Sequence, residues 1–384
     1  MKKQILPGVI LALLLGGTGV WTLCSSLDSF PKFNRYYRIQ DYMTDVEQAM
    51  AENFPFSREL SELSMEIQRK GGARKFEDIF IGDDILIEDI GLPDEDKTLK
   101  NTQALQSFAE NSRIPTYVML LPTKCAIKQN EIPQAAPLFN QKQMIEQVYN
   151  SLLGKASVVD VYPALFSKYK QDLYYKTDPA LTALGGYTIY EVLAQRLDNT
   201  PKPQEDFDIQ YVAQDYYGRT YQRCRCQDVS PDRIALYRYQ KSHRNFTVTH
   251  EQGYQYSYNT LYPQQMVDLG EIESVILGGN TGKLTVHSNL KNPNNLLIVG
   301  DGSILPVIPF LALHYSEITF LDTGLLSPEE LYRVDCSQYQ RILISYSVEE
   351  FIHGESPQKL SQLNMDSPSW QSVEKEISFP ENLQ

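Results

Sequence analysis

The chain has 384 residues, of which 42% are hydrophobic and 22% are charged, and it carries a formal net charge of -13 with a pI near 5.0. This composition is that of a globular protein and excludes a disordered chain. It also excludes nucleic acid as a main partner, because nucleic acids are bound by concentrated basic surfaces.

The N-terminus has the pattern of a membrane anchor. Lys2 and Lys3 precede an uncharged run from Ile5 to Leu23. As a helix, this run of about 19 residues would measure roughly 28 Å, close to the thickness of the hydrocarbon core. The lysines favour a cytoplasmic N-terminus. We predict residues 1–4 to be cytoplasmic and 5–23 to be a single transmembrane signal anchor. A cleaved signal peptide is the less favoured alternative, because no small-residue cleavage site follows.

The next segment, 24–75, predicts a helical stalk outside the membrane. Apolar residues recur at helical spacing over 42–50. The sequence Phe54-Pro55-Phe56 then interrupts the pattern. Ser57 is a suitable cap for a second helix that ends near Lys70.

From residue 76 onward, the sequence pattern predicts alternating strands and helices. FEDIFIGDDILIEDI predicts a hairpin with Gly82-Asp83 near its turn. This rhythm with apolar strands predicts a parallel sheet that is covered on both faces. The elements that we predict next in the chain are helix Thr98–Asn111, strand Thr116–Leu121, helix Asn140–Leu153, strand Ser157–Val161 and helix Thr182–Leu197.

Residues 205–275 interrupt the rhythm and predict a β-rich, mostly antiparallel insertion, because polar and aromatic residues alternate there. The α/β pattern then resumes up to Gly354, and residues 355–384 read as a polar tail. The elements that we predict in this last part are strands Ser274–Leu277, Leu296–Val299, Ile318–Leu321 and Arg341–Ser345, and a helix after Ser303.

The cysteines do not indicate a metal centre. Cys224 and Cys226 are too close in sequence for the usual zinc knuckle, and no second pair has metal-ligand spacing. We predict no metal and no cofactor. Up to two disulfides could form among Cys125, Cys224, Cys226 and Cys336, and the sequence leaves their pairing open.

The stretch LLIVGDGSILPVIPF, residues 296–310, has the strand-turn-helix pattern in which hydrolases place a nucleophilic serine. Three interpretations are open. The turn could hold a serine displaced by one position, it could have lost its serine, or it could be an ordinary glycine turn.

Several stretches of the chain resemble one family when they are taken in order. They are ENFPFSREL at 52–60, VMLLPTK at 118–124, YYKTDPALTALGGY at 174–187, VILGGN at 275–280 and LLIVGDGSILPVIPFLALHYSEITFLD at 296–322. Together with the N-terminal anchor, this series resembles the DHHW family of exported bacterial proteins. That family is related to the alginate O-acetylation proteins and carries an SGNH-hydrolase-like domain.

The resemblance implies a three-layer α/β/α sandwich with a central parallel sheet over residues 76–354. It also implies acyl transfer or ester hydrolysis on glycans, in which a serine attacks the ester, a histidine takes its proton and an aspartate orients the histidine. In the family, the aspartate and histidine come from the DHHW motif, and the serine comes from a later GDS-like elbow.

This sequence departs from the family at both catalytic positions. Asp178 keeps the aspartate of DHHW, but Ala180 stands at the catalytic histidine and Leu181 at the tryptophan. In the elbow, Gly302 stands at the serine position, and Ser303 is the next residue. The resemblance therefore implies that Asp178, Ala180 and Gly302 are vestigial catalytic positions.

A relocated catalytic pair is the less favoured interpretation. A shift of one residue turns a side chain by roughly 100° in a helix. Ser303 is therefore expected to cap the following helix rather than to attack an ester. None of the histidines has the sequence context of a catalytic base; they are His243, His250, His287, His314 and His353.

Binding could persist where catalysis is lost. Asn280 resembles the Gly-Asn turn of the family, whose amide could serve as an oxyanion donor, although a structural glycine turn is equally consistent. The carboxylates of Asp178 and Asp301 could bind sugar hydroxyls. The alternative for Asp178 is a helix cap before Pro179.

The sequence therefore predicts a membrane-anchored, extracytoplasmic pseudo-hydrolase of the bacterial cell membrane. Its expected role is to bind a cell-envelope polysaccharide or to scaffold a polysaccharide O-acetylation complex, with a multipass membrane O-acyltransferase as the partner that the resemblance implies. The alternatives are an active glycan O-acetylesterase or O-acetyltransferase with relocated residues, and a purely structural envelope protein.

Overall fold

The computed structural model describes residues 17–25, 67, 70–133, 136–241, 244–252, 254–268, 272–291 and 294–363. The chain divides into two compact units, residues 1–76 with 223–227 and residues 77–222 with 228–384. The predicted cytoplasmic segment 1–4 and most of the predicted stalk lie outside the described residues.

The described part of the first unit is small. Residues 17–25 are helical, and Lys75–Phe76 forms a short strand, β1. Of the predicted membrane span, residues 5–16 lie outside the described residues. Among the residues that the structure describes, no helix has both the length and the apolar character needed to cross a membrane.

The second unit is a mixed α/β structure. Its strands are β2 (Ile79–Ile81), β3 (Leu86–Glu88), β4 (Thr116–Leu121), β5 (Ser157–Val158), β6 (Phe207–Tyr216), β7 (Asp232–Tyr239), β8 (Phe246–Gln252), β9 (Tyr254–Tyr258), β10 (Lys283–Ser288), β11 (Asn295–Gly300), β12 (Glu317–Asp322) and β13 (Arg341–Ser347). Its α-helices are α1 (Glu95–Asn111), α2 (Lys124–Ile127), α3 (Gln141–Ser151), α4 (Tyr162–Ser167), α5 (Ala183–Arg196), α6 (Arg219–Cys224), α7 (Gln264–Asp268), α8 (Ile308–Leu311), α9 (Pro328–Tyr332) and α10 (Val348–His353).

An eight-stranded sheet forms the centre of this unit, in the order β5-β4-β13-β11-β12-β10-β8-β9. The first five strands are parallel, whereas β10, β8 and β9 are joined by antiparallel pairing. Nearly every residue of β4, β11, β12 and β13 is buried, which is the pattern of strands covered on both faces. The prediction of a central parallel sheet is therefore confirmed in part, since five of the eight strands are parallel.

Local capping signals account for the ends of the main helices. Asp94 accepts a hydrogen bond from the Lys97 amide and begins α1, and Asn140 caps α3 through the Gln143 amide. Ser327 and Glu330 form a reciprocal capping box at α9. The helices predicted at 98–111, 140–153 and 182–197 are present, and their ends differ from the predicted ends by up to three residues.

The β-rich insertion is less separate than the sequence predicts. Strands β6 and β7 form their own antiparallel ribbon, as expected. Strands β8 and β9 instead extend the central sheet, because β8 pairs with β10 along six residues. The hairpin β2–β3 is as predicted, with Ile81 paired to Leu86 across the turn.

Three predictions about elements are wrong in detail. Residues 274–277 form no strand, because a 3-10 helix, Ile272–Val275, leads into a turn with positive φ at Leu277, Gly278 and Gly279. A short apolar run does not by itself distinguish a strand from a buried helical turn. Strand β5 stops at Val158 rather than Val161.

The third difference is at the start of the predicted tail. Ser356–Gln362 forms a 3-10 helix in which Pro357 and Leu360 are buried, so the packed structure continues past Gly354. No disulfide joins any of the five cysteines, all of which are among the described residues.

Candidate functional site

One cavity of the second unit contains the positions singled out in both motifs. It has a volume of about 550 Å³ and opens beside the C-terminal ends of β4, β11 and β13. Ligands in open α/β sheets bind at this edge. The predicted site residues that line it are Asp178, Ala180, Asn280, Asp301, Gly302 and Ser303.

Two glycines of the TDPALTALGGY segment allow the walls of the cavity to approach each other. A Cβ atom on Gly185 would lie 2.1 Å from the Leu173 carbonyl oxygen, and one on Gly186 would lie 2.4 Å from the Pro306 carbonyl oxygen. Real Cβ atoms do not approach backbone so closely, so only glycine permits this packing. Helix α5 is thereby held against the segment that follows the elbow.

The Asp178 loop is a tight turn that enters α5. The Tyr175 amide donates to the Ala180 carbonyl at 3.1 Å. The Asp178 carboxylate accepts from the amides of Ala180 and Arg219, both at 2.9 Å. Thr182 caps α5 through the Gly185 amide at 3.1 Å, so the alternative that Asp178 caps this helix is wrong. Asp178 instead ties the loop to the start of α6.

A buried lysine supports this loop from beneath. Lys124 has only 1% of its surface exposed, and its Nζ donates to the carbonyls of Tyr175 and Asp178, each at 2.9 Å. Burial lowers the pKa of Lys124 to about 8, although Asp178 and Asp232 oppose this shift. The amine thus fixes the backbone of the motif without reaching the cavity.

The neighbouring Thr177 is held by a second buried carboxylate. Asp232 accepts from the Lys176 amide at 2.7 Å, from the Thr177 amide at 2.8 Å and from the Thr177 hydroxyl at 2.5 Å. The Thr177 hydroxyl in turn accepts from the Gly218 amide at 2.9 Å. The frame of the motif is therefore anchored to β7 and to the segment before α6.

The elbow is organised by Asp301. Strand β11 ends at Gly300, where a Cβ atom would lie 1.6 Å from the Ser345 carbonyl oxygen. Asp301 caps the 3-10 turn Gly302–Ile304 through the Ser303 amide at 3.1 Å. Its other oxygen accepts from the amide and hydroxyl of Ser347, at 2.8 and 2.6 Å. Our prediction that Ser303 caps the following helix is wrong, because Asp301 is the cap.

The Ser303 hydroxyl donates to Asp301, and the same arrangement occurs elsewhere in the chain. Asp335 caps the 3-10 helix Cys336–Gln338, and it accepts from the Ser337 amide at 2.9 Å and from the Ser337 hydroxyl at 2.6 Å. That second Asp-x-Ser turn is not part of the cavity lining. The Asp301–Ser303 bond is therefore an ordinary capped turn and does not by itself identify a catalytic dyad.

Asn280 occupies the space beside Gly302, the position that the resemblance assigns to the serine. A Cβ atom on Gly302 would lie 2.7 Å from the Asn280 Nδ2 atom. The Asn280 amide donates to Asp322 at 2.7 Å, and its Oδ1 accepts from the Gly282 amide at 3.2 Å. A serine at position 302 would therefore require Asn280 to move.

Asp322 is the buried partner that orients Asn280. Its second oxygen accepts from the amides of Gly324 and Leu325, at 2.8 and 3.3 Å. Burial raises the pKa of Asp322, while the hydrogen bond from Asn280 acts in the opposite direction. The Asn280 amide is thus fixed from behind, with one N–H toward Asp322.

The four histidines within the described residues all have structural partners, and none lines the cavity. His250 donates to the Leu277 carbonyl at 2.7 Å and supports the glycine turn before Asn280. His314 contacts the Tyr190 hydroxyl at 2.7 Å, and His353 donates to the Ile90 carbonyl at 2.7 Å. His287 lies 3.5 Å from Glu317, and His243 lies outside the described residues.

Two charged side chains line the cavity that the sequence motifs did not indicate. The Arg219 guanidinium has no hydrogen bond or ion pair within 4 Å among the described residues, and Glu349 has none either. The Glu349 side chain is exposed to the cavity, yet the surrounding protein removes enough water from its carboxyl to raise its pKa. Glu88 adds to this shift and Arg219 opposes it.

Sequence reasoning also missed the supporting residues Lys124 and Asp322. Lys124 closes VMLLPTK, and Asp322 closes the last of the family-like stretches, so each lay within a recognised motif. Their roles depend on contacts with segments far along the chain, which periodicity does not reveal. Arg219 and Glu349 lie outside these motifs, and no pattern in the sequence indicated that they belong to the site.

Comparisons with known proteins support the fold. Residues 92–244 match a family model described as "SGNH hydrolase-like domain, acetyltransferase AlgX". This match includes the Asp178 loop but ends before Asn280 and the elbow. A search of curated proteins found no match.

Two solved structures are similar over most of the second unit. A DHHW family protein from Eubacterium siraeum has 17% sequence identity and a TM-score of 0.61, and the match covers 74% of this chain and 93% of that one. Bacillus cereus PatB1 with a sulfonyl adduct has 14% identity and a TM-score of 0.60, with coverage of 74% and 98%. The resemblance to this group of SGNH-hydrolase-like proteins is confirmed.

Proposed function

We propose that this chain is a membrane-anchored, extracytoplasmic pseudo-hydrolase that binds a cell-envelope glycan in the Asp178–Asn280–Gly302 cavity. The chain could instead scaffold a polysaccharide O-acetylation complex. Its partner in that role would be a multipass membrane O-acyltransferase. The proposal rests mainly on the contact between Asn280 and position 302. The Asn280 amide lies in the space that a serine side chain at this position would need.

The absence of a suitable base supports the same conclusion. Serine is a weak nucleophile at its free pKa and needs an adjacent base. Ala180 has no proton acceptor in its side chain, and the described histidines are engaged away from the cavity. The carboxylate of Asp301 already accepts four hydrogen bonds, which makes it a framework group of the elbow.

The groups that remain available in the cavity are suited to binding. Arg219 and Glu349 are charged groups at its wall that have no hydrogen-bond or ion-pair partner within the described part of the chain, and the second N–H of Asn280 is not used by Asp322. Such groups can exchange hydrogen bonds with sugar hydroxyls or with an acetyl carbonyl. Asp178 and Asp301 stay predictions as ligand contacts, because backbone amides already use their carboxylates.

One observation favours a second candidate, an active esterase or acetyltransferase. Ser303 and Glu349 line the same cavity, and the raised pKa of Glu349 is a property of general bases. In that case Glu349 would take the Ser303 proton, and turnover would rise with pH as the carboxyl ionises.

The experiment incubates the full chain in detergent micelles with p-nitrophenyl acetate and with a fluorophosphonate probe. We expect neither turnover nor labelling above background. Ser337→Ala is the matched control for Ser303→Ala, because both serines occupy the same Asp-x-Ser turn. Turnover that is lost in Ser303→Ala and Glu349→Gln but kept in Ser337→Ala would refute the pseudo-hydrolase and establish the second candidate.

Glycan binding is tested separately on an array of cell-envelope polysaccharides. We expect binding that weakens at least tenfold in Arg219→Ala, whereas Arg233→Ala, which removes an exposed arginine outside the cavity, should leave it unchanged. An array without binding would exclude the glycan-binding role and leave the scaffold role.

A further inference from the structure

A second cavity shares no lining residue with the first. It has a volume of about 300 Å³, at the lower end of the range for ligand sites. Strand β7, the start of β8, the loop after β9 and helix α8 form its walls. Two arginines, Arg238 and Arg244, line it together with several aromatic rings.

Arg238 is held in place but keeps its terminal nitrogens available. Its Nε donates to the Gln210 side chain at 2.8 Å, and its guanidinium lies 5.4 Å from the centre of the Tyr262 ring. A guanidinium fixed by one hydrogen bond and an aromatic face is pre-organised to bind an anion through its outer edge. Among the described residues, no carboxylate forms an ion pair with it.

Arg244 adds a second positive charge to the lining of this cavity. Its guanidinium donates to the Leu313 carbonyl, which leaves the other nitrogens for a ligand. The same charge acts on the neighbouring His314, whose pKa is lowered to about 4 by burial first and then by Lys202 and Arg244.

Acidic groups do not neutralise this charge within the cavity. Its lining contains no aspartate or glutamate. Asp208 is the cross-strand neighbour of Arg238, but its carboxylate accepts from the Gln210 side chain at 2.6 Å. In a chain with a net charge of -13, two arginines that line one cavity whose lining holds no carboxylate indicate a site for an anion.

The other residues that line the cavity indicate which kind of ligand would fit. Phe246 and Tyr239 present partly exposed rings that can pack against the C–H face of a sugar. Asn245 and Asn259 add amide groups that can donate to and accept from hydroxyls. The aromatic rings, amides and guanidinium groups of the lining together suit a sugar ring that carries one negatively charged group.

We propose that this second cavity binds an anionic hexose unit, recognised through a carboxylate or phosphate group held by Arg238 and Arg244. The site is independent of the first cavity, and it would bind acidic sugar whether or not the first cavity binds glycan.

The test measures dissociation constants for three probes, glucuronate, glucose 6-phosphate and glucose, by ligand-observed NMR titration of the full chain in detergent micelles. We expect at least one charged probe to bind tenfold or more tightly than glucose. Its affinity should fall between 50 and 500 mM NaCl, because salt screens the arginine charges. The better charged probe identifies carboxylate or phosphate as the recognised group.

The variant Arg238→Ala should weaken binding of that probe at least tenfold, and Arg238→Lys should weaken it less because it keeps the charge and loses the fork. Arg233→Ala is the matched control, since Arg233 lies in the same strand, carries the same charge and is outside the cavity. Arg244→Ala is a secondary variant, because Arg244 also holds the Leu313 carbonyl.

Either of two results would overturn the proposal. One is that glucuronate and glucose 6-phosphate bind no more tightly than glucose. The other is that Arg238→Ala, folded by circular dichroism, binds as the wild type does. Loss of binding in Arg219→Ala but not in Arg238→Ala would assign the sugar to the first cavity and would likewise refute the second site.

Discussion

The substitution Gly302→Ser tests whether the Asn280 amide fills the space that a serine side chain at position 302 would need. A Cβ atom there would lie 2.7 Å from the Asn280 Nδ2 atom, so the Asn280 side chain must rotate away. The backbone itself should accept serine, because Gly302 is not in the left-handed region. The cost therefore comes from the hydrogen bonds that Asn280 gives up.

Those hydrogen bonds set the magnitude. The bond from Asn280 to Asp322 involves a buried carboxylate and is worth about 1.5–3 kcal/mol. The bond from the Gly282 amide adds about 1 kcal/mol. Replacing glycine at a compatible site returns about 0.4–1 kcal/mol through the unfolded state. We expect Gly302→Ser to lower the free energy of unfolding by about 1.5–3.5 kcal/mol.

A double-mutant cycle isolates the contact. Asn280→Ala removes the obstructing amide, so Gly302→Ser in that background should cost about 0.5 kcal/mol or less. Urea unfolding of the full chain, followed by circular dichroism, gives the four free energies. A coupling energy below about 0.5 kcal/mol would refute the argument that Asn280 fills the serine position.

Three further predictions concern stability. Lys124→Met should lower the free energy of unfolding by about 3 kcal/mol or more in urea unfolding, because the buried carbonyls that Lys124 serves would lose their donor; a loss below 1 kcal/mol would contradict this role. Gly186→Ala should destabilise the fold by about 2 kcal/mol despite the better helix propensity of alanine, since its Cβ would meet the Pro306 carbonyl; an unchanged midpoint would show that α5 can move. The pKa of His314 is lowered to about 4 in the folded protein, whereas in the unfolded chain this side chain binds a proton near pH 6.5. The free energy of unfolding should therefore fall as the pH drops from 6.5 to 4. The loss should be at most about 3 kcal/mol, and solvent screening reduces it further. Urea unfolding across this range should show a flatter dependence in His314→Gln, and parallel curves for the two proteins would reject the assignment.

The framework of the first cavity was predictable because its signals are local. The strand β4, the helix α5 with Thr182 at its start, and the strand-turn-helix of the elbow all follow from apolar periodicity and capping residues. The ordered motifs also indicated the family resemblance. Neither kind of signal requires knowledge of which segments meet.

The errors arose where local patterns are ambiguous. Residues 274–277 have the composition of a strand, but the glycine turn and the support of His250 place them in a 3-10 helix and a turn. Ser303 is a good cap by type, but Asp301 precedes it and caps the 3-10 turn through the amide of Ser303 itself, while α8 begins after Val307 without a side-chain cap. In both places a neighbouring residue competes for the backbone, and propensity does not decide such competition.

The sequence by itself determined that the chain is an α/β protein with a sheet of parallel strands, and it predicted, through the resemblance, that Ala180 and Gly302 stand at the histidine and serine positions of the family. Only the tertiary structure decided what stands in their place. The Asn280 amide reaches Gly302, Arg219 and Glu349 enter the same cavity, and Arg238 and Arg244 converge on another. The physical reason is that capping and periodicity act over a few residues, whereas these contacts join segments that meet only when the sheet and its loops have packed.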